Sequence, residues 1–189
     1  MPLTRIQSLG ITDGTIVNAD INASAAIAGT KLTGVGKVLQ VVHTTYQSQA
    51  VTTSATPADI SGFSATITPS SASNKVLVLV SVQMGAEDNS YGYILLLRGS
   101  TSLIVGNGAS GNQKNTFIST GYNDGVAAMR TGSNSYLDSP NTTSATTYKI
   151  QFAQGNGSYS LYINRQHDTS NGGYIQFPVS SITLLEIAA

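Results

Sequence analysis

The side chains that could carry acid–base chemistry are few: nine Asp and Glu and two His in 189 residues. A glycan-cleaving site needs two facing carboxylates, one to protonate the leaving oxygen and one to act as base or nucleophile. Glu87 with Asp88, Asp124 and Asp138 are the candidates. Each stands among Gly, Asn and Ser, where a carboxylate usually accepts hydrogen bonds from its own turn. They read as solvated turn residues, and no catalytic residue is expected. His43 and His167 are too far apart to read as a ligand pair, and both sit in polar, surface-like stretches. Glu87-Asp88-Asn89 and Asp168 offer oxygen ligands of the kind calcium takes, but the spacing of a calcium loop is missing. There is no cysteine, which excludes disulfides and thiolate metal sites. Asn22-Ala23-Ser24, Asn141-Thr142-Thr143 and Asn156-Gly157-Ser158 match the glycosylation sequon, as chance matches will in a chain so rich in these residues. The expectation is a protein without enzymatic activity, metal or cofactor.

Recognition chemistry has better candidates. The chain has nine tyrosines and no tryptophan. Tyr91, Tyr122, Tyr136 and Tyr174 stand beside Gly, Asn or Ser, as in Gly121-Tyr122-Asn123 and Gly172-Gly173-Tyr174. An exposed tyrosine is a rigid apolar plate with a hydroxyl, suited to stacking on sugars or on protein partners. These four are the candidate receptor-contact residues; the competing reading is that their rings cap the ends of a core.

Charge excludes further classes. Only 10% of residues are charged, against about 25% in an average soluble domain, and the net charge is zero. Nucleic-acid binding usually needs a basic patch that displaces counterions from phosphates. Here Lys75, Arg98, Lys114, Arg130 and Arg165 are scattered singly, so no nucleic-acid partner is expected. The longest apolar run, Val76 to Val80, is far short of the ~20 residues that span a bilayer. No apolar leader follows Met1-Pro2-Leu3-Thr4-Arg5, so the chain is expected to be soluble, made without export and not inserted in a membrane.

Two kinds of segment must position these residues. Residues 1–36 form an amino-terminal arm, in which Ile6, Ile11, Ile16 and Ile21 recur every five residues, with Ile27 beyond them. Five is neither the helical period nor the strand period. We read short extended pieces and turns, with one helical turn around Ser24 to Ala28. So thin a stripe needs copies of itself or another protein to cover it; the other reading is a disordered tail with chance spacing.

Residues 37–189 read as all-β. Val38 to Tyr46, Ile60 to Thr68, Lys75 to Met84, Tyr91 to Arg98 and Ser102 to Val105 are strand candidates, with Thr116 to Thr120 weaker. Tyr148 to Phe152 alternates, and Gly155-Asn156-Gly157 followed by Tyr159, Leu161 and Ile163 reads as a hairpin. Ile175 to Val179 and Ser181 to Ile187 complete a sandwich or jelly roll. Leu79 and Phe152 are expected in its core. Val76 to Val80 and the last strand carry apolar residues on both faces, whereas a two-layer sandwich covers one face of each sheet. We expect the second face to meet another subunit rather than a folded-over loop.

The stretch from Ile11-Thr12-Asp13-Gly14 through Gly29-Thr30-Lys31-Leu32 resembles a segment of bacteriophage virion spike and fibre proteins, the head-fibre and short tail-fibre proteins of aquatic phages. Asp59-Ile60-Ser61-Gly62-Phe63 through Lys75-Val76-Leu77-Val78 is similar to the start of their carboxy-terminal domain, and Ile182-Thr183-Leu184-Leu185-Glu186-Ile187 to their final strand. The resemblance implies a homotrimeric appendage on the virion surface, with a jelly-roll-like β-sandwich head and an extended amino-terminal arm. Ile6, Ile11, Ile16, Ile21 and Ile27 would then dock on other phage structural proteins of capsid or tail. The near absence of a shaft favours a stubby spike that decorates and stabilises the capsid, in the manner of a cement protein. The alternative is a short tail fibre, an adhesin whose distal loops bind host surface glycans.

Overall fold

A computed structural model describes residues 37–87, 90–103, 111, 113–121, 128–155, 157–173 and 175–189. The chain divides into Met1–Val35 and Gly36–Ala189, and every described residue lies in the second unit. The five arm isoleucines, Tyr122, Tyr174, Asp88 and Asp124 lie outside the described residues.

The described residues form an all-β unit without a helix, built from two antiparallel sheets packed face to face. The strands are β1 (Val38–Tyr46), β2 (Ala50–Thr52), β3 (Ala58–Ile67), β4 (Lys75–Ala86), β5 (Gly92–Arg98), β6 (Thr101–Ser102), β7 (Ile118–Ser119), β8 (Met129–Asp138), β9 (Thr146–Gln154), β10 (Leu161–Ile163) and β11 (Ser180–Ile187). In the first sheet β4 is central. One of its edges pairs with β11 over Lys75 to Ser81 and then with β10 over Met84 to Ala86, while the other pairs with β8 along Val76 to Gly85. Outside these, β1 lines β11 and β2 lines β10. The second sheet runs β3, β9, β5, with β6 and β7 sharing the far edge of β5.

Alternation in the strands makes the core. Val76, Val78, Val80, Val82 and Met84 of β4, with Ile182 and Leu184 of β11, point inward from the first sheet. Phe63, Ala65 and Ile67 of β3, Ile94 and Leu96 of β5, and Tyr148, Ile150 and Phe152 of β9 meet them from the second. The Tyr46 and Phe63 rings stack across the layers, with centroids 4.9 Å apart and planes 11° from parallel. At roughly 1.5–3 kcal/mol for each fully buried large apolar side chain, this interlayer set is the main source of stability.

Three expectations are corrected here. Phe152 is in the core, but Leu79 is not: it lies on the opposite side of β4 from Val78 and Val80 and is 41% exposed. The expected hairpin of β9 and β10 does not form. β9 pairs β3 and β5, whereas β10 pairs β2 and β4, so the glycine-rich link crosses between sheets instead of turning within one. Residues 175–179 are not a strand. In their place β8, a polar segment with few apolar residues, pairs along most of β4.

Candidate functional site

The outer face of the first sheet is where the sequence leaves side chains without a place in the core. Register across β1, β11, β4 and β8 sets its outward residues in rows. Val41, Leu185, Leu77 and Leu137 form one apolar row across four strands. Val41 and Leu137 are 59% and 55% exposed. The next row is His43, Thr183, Leu79 and Ser135, and the one after it Thr45, Ser181, Ser81 and Ser133. His43 is held in plane by Thr183 Oγ1 at 2.7 Å and Thr45 Oγ1 at 3.2 Å. Beside Leu79 the small serines leave an open groove of about 490 Å3, lined by Leu79, Ser81, Ser133, Ser135, Ser181 and Thr183. No Lys, Arg, Asp or Glu stands in these three rows; Lys75 closes one end, its ammonium donating to Ser139 Oγ at 2.7 Å.

The other end of this face is covered by the chain itself. After β10 the backbone folds back over Gly85, and a Cβ there would collide with the Arg165 carbonyl. Glycine is needed at this position by the close approach of backbone. Asn164, in the left-handed region at φ 59°, makes the bend, donating through Nδ2 to the carbonyls of Tyr46 at 2.7 Å and Ser48 at 2.9 Å. Ser180 Oγ donates to Asn164 Oδ1 at 2.6 Å. The covering segment is fastened to Tyr162, whose ring carries the Arg165 guanidinium 4.4 Å from its centroid and stacks with His167 at 5.6 Å.

Two carboxylates are buried. Asp138, taken from sequence as a solvated turn residue, ends β8 at 4% exposure. Arg98 Nη1 donates to both its oxygens at 2.9 and 2.8 Å, and the Tyr148 hydroxyl donates to Oδ2 at 2.7 Å. The correction has a physical cause. Arg98 and Tyr148 lie on strands of the opposite sheet, so Asp138 bonds the two layers. Burial, with the hydrogen bond to Asp138 and its charge, raises the Tyr148 hydroxyl well above the ordinary tyrosine value, against the opposing effect of Arg98. Glu186, 1% exposed, accepts from Ser70 N and Oγ, both at 2.7 Å, Asn74 Nδ2 at 2.6 Å and Gln40 Nε2 at 3.1 Å. Burial disfavours its charge, but these donors outweigh it and hold the carboxyl down at about 2. Both sites brace the fold, Asp138 between the layers and Glu186 between β11 and the turn that leads into β4.

The remaining candidates are dispersed. Tyr91 is 37% exposed; its ring lies over Gly155, where any side chain would collide with it. Tyr136 is on the inner side of β8, partly buried and packed against the core. Tyr91 thus precedes β5 and is exposed, whereas Tyr136 lies within β8 and faces the core. Glu87 accepts from the Tyr162 hydroxyl at 3.3 Å, and Asp168 accepts from Ser170 N at 2.8 Å in its own turn. Among the described residues no group of three or more His, Cys, Asp or Glu is placed to hold a metal ion, and no helix is long and apolar enough to cross a membrane. The sequence does signal the outer-face row, through apolar residues at every position of Val76 to Val80, but it does not signal the partners of Asp138 or Glu186.

No protein-family model and no curated protein matches this chain.

Proposed function

We propose that this chain is a bacteriophage virion structural protein, a short homotrimeric spike that decorates and stabilises the capsid, docked by its amino-terminal arm. The observation that carries the reading is the outer face of the first sheet, uncharged across its three central rows and apolar along the row Val41, Leu185, Leu77 and Leu137. Such a face suits permanent burial against protein and is ill suited to binding a charged substrate. The likeness of the isoleucine-bearing arm and of the final strand to phage spike proteins supplies the particle. A jelly-roll-like wrap is supported by the path of the chain, which changes sheet between β2 and β3, β3 and β4, β4 and β5, β7 and β8, β8 and β9, and β9 and β10. Stabilisation follows from burial across subunit boundaries, since expansion or rupture of the shell must break those contacts.

The adhesin reading draws on one observation, the half-exposed Tyr91 ring beside a loop glycine. Removing the gene and measuring particle heat resistance and host adsorption separates the two. A decorating spike gives particles that break at lower temperature and adsorb normally. An adhesin gives the reverse, and no change in either assay defeats both.

A further inference from the structure

We infer that the occupant of the outer face of the first sheet is the same face of a second copy of this chain, with the row Val41, Leu185, Leu77 and Leu137 as its dry centre. This deepens the trimeric-spike reading and rests on it. Charge is the first argument. The rows from Leu77 to Ser81 hold only Val, Leu, Ser, Thr and His43, so a strongly acidic or basic partner finds no counter-charge there. The outward residues of these rows include no Phe, Tyr or Trp ring on which a sugar could stack, which disfavours glycans as occupants. An identical face, in contrast, brings leucine to leucine and hydroxyl to hydroxyl without like-charge repulsion.

Area is the second argument. Four strands about 4.8 Å apart, paired together from Lys75 to Ser81 at about 3.4 Å per residue, make a face of roughly 450 Å2. Two copies bury about 900 Å2, just under the ~1,000 Å2 of a specific interface, whereas three around an axis bury about 1,350 Å2 and clear it. The limits of the patch agree with this. Its far end is already sealed by the Arg165 backbone over Gly85, and its near end stops at Lys75, so among the described residues what stays open is the apolar row and the hydroxyl rows next to it.

The absence of cysteine makes the test clean. Leu79→Cys, Leu137→Cys and Thr183→Cys are each made in the full-length chain and treated with a short bis-maleimide, beside Thr66→Cys on the other sheet. All four positions are at least partly exposed, so the fold tolerates them, and circular dichroism checks each. The expected result is conversion of most of the protein to a covalent dimer in sheet-one variants, with Thr66→Cys unchanged. Two outcomes overturn the inference: folded sheet-one variants that stay uncoupled, or Thr66→Cys coupling as readily as they do. Light scattering on the parent distinguishes the failures. A trimer that does not couple through this face overturns the face alone, and a monomer overturns both the face and the trimeric reading.

Discussion

The outer faces of the two sheets are made by the same alternation and differ in what it exposes. On the second sheet Asp59 accepts from Lys149 Nζ at 2.6 Å and from Gln151 Nε2 at 2.8 Å, and Thr66 and Thr147 share a hydrogen bond of 2.7 Å. The Lys149 ammonium holds the Asp59 carboxyl below its ordinary value, with Gln151 adding to the effect. Every one of these groups is satisfied within the chain. On the first sheet the corresponding positions are Val41, Leu77, Leu79 and Leu137, which stand exposed or half-exposed among the described residues. A face that pairs its own polar groups is finished in water, whereas one that exposes a leucine row is finished only by another surface.

The contrast depends on a shared core that stands without help from either outer face, and that premise carries the largest expected effect. Phe152→Ala is expected to cost about 3–5 kcal/mol in denaturant unfolding, through lost burial and the cavity left behind. A cost below about 1 kcal/mol would mean the layers are not packed as described. Next in size is Asp138→Asn, which leaves Arg98 beside a neutral partner between the layers. The expected loss is about 2 kcal/mol, reduced from that of a fully buried pair by the partial exposure of Arg98. Stability unchanged by this substitution would return Asp138 to the role of a surface turn residue.

Acid is expected to act on Glu186 more than on any surface carboxylate. Its folded value of about 2 lies below the ordinary 4.5, so its stabilisation is fully present above pH 4.5. It is lost as pH falls from there toward 2, by an amount on the order of 2 kcal/mol. Glu186→Gln is expected to flatten that part of the stability–pH curve, and an unchanged slope would contradict the assignment. The smallest effect belongs to the second outer face. Lys149→Ala removes an exposed ion pair and is expected to cost under about 1 kcal/mol, less still at high salt. A larger cost would show that this face too depends on its contacts.

How much of this was legible in the sequence follows from which contacts are local. The strands β1, β3, β4, β9 and β11 announce themselves, because β-branched and aromatic residues at alternate positions have one buried face to satisfy. The strand β8 does not. Only Met129, Tyr136 and Leu137 in it are large and apolar, and it holds its place through pairing with β4. Gly132 in that strand, which suggests a break, is there because Ile118 fills the space where a side chain would be. Asp138 followed by Ser139 and Pro140 looks like a turn, and only the arrival of Arg98 from the other sheet makes it a buried anchor. The unpaired apolar face was legible in Val76 to Val80, yet its placement on Leu77 and Leu79 needed the register. Alternation says that two faces exist, and pairing says which one is inside.

The most direct measurement is the sedimentation mass of the full-length chain at micromolar concentration, for the parent, Leu137→Glu and Thr66→Glu. Each variant sets one charge on an exposed position of one outer face. The expected result is a trimer for the parent and for Thr66→Glu, and a folded monomer for Leu137→Glu. Equal masses for the two variants would contradict the claim that the first sheet alone is built to be covered.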